Sequence, residues 1–252
     1  VLVSWDRRDN AFNATKGTYV VSGVEHVDAY PLGSRDQAVD RERTESHFFK
    51  LTQTLGGYVC LTRCGNRQQQ EGATRASIRI AALTRLGANV QITPTSATYP
   101  DRLFFMGGVD SMRGWNLNSF IPQDDVDRIY KAKDLPDTIP DPAKPGQTIA
   151  NSGKFTADTK PIRGGNFMVN ERVELRIPIR GPFETVLFCD LGNLWTDPTY
   201  PFARGVFPIR AAAGSGVRVQ TPVGPLAVDY GINLTREVYE DFGAINFAIG
   251  LF

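Results

Sequence analysis

What most constrains this chain is how often it alternates, residue by residue, between apolar and polar. In LAVDYGINL (226–234), Leu226, Val228, Tyr230, Ile232 and Leu234 share one side of an extended chain, and Ala227, Asp229, Gly231 and Asn233 share the other. RVELRIPI (172–179) repeats the pattern, with Val173, Leu175, Ile177 and Ile179 opposite Arg172, Glu174 and Arg176. In FETVLFCDLGNLW, Thr185, Leu187, Cys189 and Leu191 oppose Glu184, Val186, Phe188, Asp190 and Gly192. Helical periodicity is nearly absent. The pattern predicts nine strands, near 1–8, 17–27, 46–60, 73–92, 165–179, 183–195, 208–221, 224–235 and 241–252. The links RGP (180–182) and TPVGP (221–225) read as tight turns, whereas 120–163 and 196–207 read as long and irregular.

Alternation alone fits two architectures. A soluble sandwich buries the apolar face; a membrane barrel gives it to lipid and lines its lumen with the polar one. Short turns at one end and long loops at the other suit the barrel, as do polar faces that carry Gly, Asp, Glu and Arg together. Tyr19, Trp195, Tyr230 and Phe252 sit near predicted strand ends, where an interfacial girdle would place aromatics. No apolar run is long enough for a membrane helix, which excludes helical membrane proteins and says nothing about barrels.

Composition excludes rather than assigns. A net charge of +1 gives no electrostatic case for nucleic acid. With only His26 and His47 as imidazoles, neither a metal site nor a catalytic constellation emerges, so no cofactor, no catalytic residue and no enzymatic activity is expected. Asp124, Asp125 and Asp127 read as solvated loop carboxylates. Cys60 and Cys64, four apart at a turn, are either a short-loop disulfide or two ordinary thiols; Cys189 reads as a small apolar strand residue. Val1 opens inside a strand-like pattern with no signal-peptide n-region, as expected of part of something longer.

Four stretches, in order, carry a resemblance. WDRRDNAFNATKGTYV (5–20) is like a D-x-R-D-N-x-x-x-P-x-x-G inter-strand turn, with Ala14 in place of proline. FFMGGVDSMRGW (104–115) is like an F-x-G-G-x-x-S-x-R-G-[FY] loop, with Trp115 in the aromatic place. NERVELRIPIRGPFETVLFCDLGNLW (170–195) is like an E-[LF]-R-x-P…F-x-D-x-G-x-x-W strand pair, and GSGVRVQTPVGPLAVDYGINL (214–234) with INFAIGLF (245–252) is like a pair of closing strands. Together they resemble the outer-membrane assembly-factor β-barrel superfamily, the BamA- and TamA-like proteins.

The resemblance implies an all-β antiparallel transmembrane barrel of about sixteen strands, an even number as in bacterial single-chain barrels. Residues 1–252 would be its C-terminal portion, with a long inserted loop near 104–164, and the upstream strands and POTRA domains would lie outside this chain. It further implies a loop that folds back into the lumen, where Arg113 meets Glu174 and Asp190, with Gly107, Gly108, Gly114 and Trp115 shaping the tip. The alternation independently puts both acids on polar faces of adjacent strands. Read without the resemblance, Arg113 is a solvated loop arginine, and the acids pair with Arg172, Arg176 or Arg218. The closing strand, with Gly243, Phe247, Gly250 and Phe252, would form a weakly paired lateral seam. Implied function is insertion of client β-barrels into the outer membrane of a Gram-negative bacterium. Its partners would be unfolded barrel clients, outer-membrane lipids and accessory lipoproteins. A secretion pore or an autotransporter assembler shares every motif, a passive channel shares only the alternation, and a soluble binding module needs the sandwich.

Overall fold

A computed structural model of the chain describes residues 1–11, 13–29, 45–62, 77–140, 147–151, 161–221, 224–237 and 239–249. Nine strands form one antiparallel sheet: β1 (Leu2–Asp6), β2 (Gly17–Ala29), β3 (Ser46–Cys60), β4 (Arg79–Gln91), β7 (Phe167–Arg180), β8 (Phe183–Trp195), β9 (Arg210–Thr221), β10 (Gly224–Asn233) and β11 (Gly243–Ile249). Each pairs with the next along the chain; the excursion between β4 and β7 holds a two-stranded hairpin, β5 (Thr138–Pro140) with β6 (Thr148–Ala150). The sheet is open, with β1 and β11 as its edges.

The two faces differ in kind. Along β8, Glu184, Val186, Phe188 and Asp190 are buried, whereas Leu187 is half exposed on the other side. On β11, Ala244 and Asn246 are buried while Ile245, Phe247 and Ile249 are exposed. The inward face carries Arg79, Arg172, Glu174, Glu184, Asp190, Arg218 and Asp229, all buried, and the outward face carries the large aliphatics. A soluble sandwich does the reverse. Polar-in, apolar-out is the pattern of a wall whose solvent on the outside is lipid. Leu187→Arg is therefore expected to cost about 2–4 kcal/mol, the penalty for a cation near the midplane of a lipid-facing wall. Urea titration of the protein in lipid vesicles measures it, and a near-zero cost would assign this face to water.

The inner face is covered by the chain's own excursion between β4 and β7. Phe104, Met106, Met112, Trp115 and Phe120 from that excursion pack with Met168, Leu194 and Ala212 of the wall. At the other end Ala14 packs with Tyr58, Ala81 and Tyr19. A buried small side chain thus stands where the resembling turn has proline.

Several expectations are corrected. The segments expected to be irregular contain helices α1 (Gln123–Lys133) and α2 (Tyr200–Arg204). Helix α1 has Asp124 and Asp125 in its first turn, Lys131 and Lys133 in its last, and buries Val126, Ile129 and Ala132, all favourable to a helix. Three turns between Pro-rich flanks are too short for that period to stand out. Its acids are not free in solvent: Asp125 is 2% exposed and accepts from the Ile162 amide at 2.7 Å. Nor is the expected girdle uniform. Trp195 is fully buried, stacked on Phe167, and Tyr19 packs inward; Tyr230 does face outward. Phe252, Gly250 and Cys64 lie outside the described residues, and with Cys64 the question of the Cys60–Cys64 pairing.

Candidate functional site in the lumen

The excursion is pinched at its base by a two-way bridge: the Phe104 amide donates to the Gly165 carbonyl at 2.8 Å and the Gly165 amide returns to Phe104 at 2.9 Å. Above the pinch the chain ties a compact knot. Gly107 and Gly108 adopt φ of +105° and +92°, open to glycine at little cost. The Gly108 amide is shared between the carbonyls of Met112 (3.1 Å) and Trp115 (2.9 Å), and the Gly107 amide donates to Ser111 Oγ at 2.9 Å. This knot presents Arg113 to the wall.

Arg113 is fully buried. Its Nε and Nη2 donate to Asp190 Oδ2 and Oδ1 at 2.8 and 2.6 Å, a two-pronged grip that a lysine cannot reproduce. Its backbone amide donates to the same carboxylate at 3.0 Å. Nη1 turns to Glu174 at 2.5 Å and to Asp229 at 3.2 Å, and the guanidinium stacks over the Phe188 ring with its carbon 3.6 Å from the centroid. Strand register makes this convergence possible: Glu174 stands opposite Phe188 on β8, two residues from Asp190.

The wall adds its own cations. Arg218 pairs with Asp229 and reaches Glu174 at 3.4 Å; Arg176 Nε donates to Glu174 at 2.9 Å; Arg172 lies 3.8 Å from Asp190. Arg113, Arg172, Arg176 and Arg218 thus surround Glu174, Asp190 and Asp229. Glu174 takes Arg113 together with Arg176 and Arg218, so the arginines of the alternative reading share the acid with Arg113, which is buried rather than solvated. Such a network stabilises little in net terms, because desolvation consumes most of the Coulombic gain, but it is unforgiving of a missing member.

Close approach is bought with small residues. A Cβ on Gly231 would lie 2.3 Å from the Arg113 carbonyl oxygen, and one on Gly114 would lie 2.8 Å from Ala212 Cβ. Trp115 and Phe120 pack beneath Arg210, whose guanidinium carbon is 3.6 Å from the Phe120 centroid and whose Nη2 donates to the Ile121 carbonyl at 2.5 Å. Helix α1 caps the rim: Asp124 accepts from the Thr196 and Asp197 amides at 3.0 Å, Gln123 Oε1 accepts from Asn193 at 3.1 Å, and Asp127 accepts from Tyr200 at 2.7 Å. Burial, and then that bond to Asp127, push the Tyr200 phenol up to about 12.

Arg113, Glu174, Asp190, Gly107, Gly108, Gly114 and Trp115 therefore meet at one place. Gly243 and Phe247 do not; they lie on β11, with Gly243 opposite Ile232 and Phe247 opposite Val228. Sequence reasoning missed Asp229 and Asn246 as members, and named Arg218 only as an alternative partner of Glu174 and Asp190. Asp229 already lay on the polar face of its strand in the alternation, so its inward direction was readable even though its partner was not. Among the described residues, no group of histidine, cysteine or carboxylate side chains is arranged to hold a metal ion.

An antiparallel wall with an apolar outer face, plugged from within by its own arginine-tipped loop, defines an outer-membrane-type β-barrel protein. The family profile described as the Omp85 superfamily domain matches residues 1–252, and the chain belongs to that superfamily. Among solved structures it is similar to BamA from Haemophilus ducreyi lacking POTRA domains 1–3, with a TM-score of 0.62 and 18% identity over 99% of this chain and 41% of that one. Among characterised proteins it is 34% identical over 83 residues to the chloroplastic outer envelope protein 80 of Arabidopsis thaliana, a stretch covering 31% of this chain and 11% of that protein. The chain thus spans less than half the length of either relative. The superfamily's role is in protein insertion or secretion at outer membranes.

Proposed function

We propose that this chain is the C-terminal part of an assembly factor that inserts client β-barrels into the outer membrane of a Gram-negative bacterium. The observation that carries the reading is the buried loop tip: the Arg113 guanidinium, fixed among Glu174, Asp190 and Asp229, holds the excursion against the inner wall as a plug rather than leaving the lumen open. The chemistry would be non-covalent, with no catalytic residue and no cofactor. At the sheet edge, β11 offers one row of backbone N–H and C=O groups, and an incoming client strand would pair there by β-augmentation. Gly243, which has no side chain to pack against a neighbour, lowers the cost of parting β11 from β10. The partners would be unfolded barrel clients, the surrounding lipids and accessory lipoproteins, with POTRA domains upstream in the full-length protein.

The test is depletion of the full-length protein in its source organism followed by a profile of outer-membrane proteins. Loss of many barrel proteins together is the expected result. Loss of a single exported protein would identify a dedicated secretion pore or autotransporter assembler instead. A changed small-solute permeability with a normal protein profile would identify a passive channel.

A further inference from the structure

Arg113 is held by its backbone as well as by its side chain. Ala244, Asn246 and Ala248 share the inward face of β11, so Asn246 is the one polar side chain on that face among the described residues. It is buried, and its Nδ2 donates to the Arg113 carbonyl at 2.9 Å. In the β10–β11 register Asn246 stands opposite Asp229, whose carboxylate accepts from Arg113 Nη1. One loop residue therefore touches β7, β8 and β10 through its guanidinium and β11 through its carbonyl.

Further contacts join the same loop to the β10–β11 connection. Asn116 Nδ2 donates to Asp241 Oδ2 at 2.7 Å. Tyr130 on α1 donates to Glu237 at 2.9 Å, and Arg210 spans the Ile121 carbonyl and Glu240, at 2.5 and 2.8 Å. Apart from these, the described part of β11 is held by its ladder to β10 alone, from Leu226–Ile249 to Ile232–Gly243.

We infer that Asn246 is a positioning residue that clamps the edge strand to the docked loop, so that undocking of Arg113 and parting of β11 from β10 promote each other. The coupling is reciprocal by necessity: whatever the docked tip contributes to holding β11, a paired β11 contributes to holding the tip. Its meaning for client entry rests on the insertion reading above; the coupling itself does not. A loop seated in the lumen then reports on the state of the edge, and a client that displaces β11 loosens the plug at the same stroke.

Backbone hydrogen exchange across β11, in the full-length protein in lipid vesicles, tests this. Asn246→Ala is expected to raise exchange at residues 244–248 about tenfold, the scale of losing one buried hydrogen bond. In an Arg113→Lys background, where the tip is already loosened, the same substitution should add much less, a non-additivity that residues merely packed in place do not show. Unchanged exchange, or equal increments in both backgrounds, overturns the inference. Should Asn246→Ala fail to assemble, Asn116→Ala, on the exposed part of the loop, carries the test, with a rise of roughly threefold at residues 243–245; exchange equal to wild type overturns it. If exchange responds as expected while client insertion is indifferent to every variant, the clamp stands and the insertion reading fails.

Discussion

Arg113→Ala should cost the folded barrel about 3–5 kcal/mol, the range for removing one partner from a buried ion cluster. The size follows from what remains behind. Asp190 loses three donors, two from the guanidinium and one from a loop amide no longer held in place, and Glu174 and Asp229 lose one each. Arg218 still covers Asp229 and Arg176 still covers Glu174, so the excess negative charge settles on Asp190, whose remaining cation is Arg172 at 3.8 Å. Arg113→Lys should recover part of the loss, because it restores charge but cannot grip Asp190 with two prongs while reaching Glu174. Urea titration of the protein in lipid vesicles measures all three forms. A cost below about 1 kcal/mol, the usual ceiling for an exposed pair, would mean that the arginine is solvated in the functional protein.

Gly231→Ala, a change of one methyl on the wall, should release the same loop without touching any charge. The added carbon would sit 2.3 Å from the Arg113 carbonyl oxygen and 2.9 Å from the Gly114 amide, both backbone atoms that cannot swing aside. An overpacked contact of this kind costs about 1–3 kcal/mol, and here relief comes by lifting the tip. Limited trypsin digestion reads it out. The Arg113–Gly114 bond is protected when Arg113 is buried and becomes cleavable once the tip leaves the wall. Gly57→Ala is the control, since a Cβ there meets nothing within 4 Å. Equal protection at Arg113 in both variants would show that the tip does not depend on this close approach.

The wall was legible in the sequence because strands broadcast their two faces at every second residue. Asp190 beside Cys189, and Asp229 between Val228 and Tyr230, needed only parity to be pointed inward. The loop was less so. Helix α1 shows its period over only three buried apolar positions, and its acids look solvated until Thr196, Ile162 and Tyr200 are seen to donate to them. The exposure of Trp195 failed for another reason. It has outward parity, but the segment after it folds back and lays Phe202 and Phe207 around the Phe167–Trp195 stack. Parity predicts the side of the sheet and is silent on what later lies over it. The Arg113–Glu174–Asp190 triad came from likeness to a family; the third acid and the amide of Asn246 depend on register, which no single strand contains.

The chain positions of the Arg113 partners also set an order of events. They lie 61, 77, 116 and 133 residues further along the chain, at Glu174, Asp190, Asp229 and Asn246. Contacts of such sequence separation close late, after the entropy of the intervening loops has been lost. A nascent or truncated chain that ends before β10 therefore carries an arginine with part of its shell missing, and one that ends before β11 leaves the tip without the Asn246 tether. The arrival of β10 and β11 is thus registered at a loop tip made more than a hundred residues earlier, and the Arg113 shell closes only once both strands are in place.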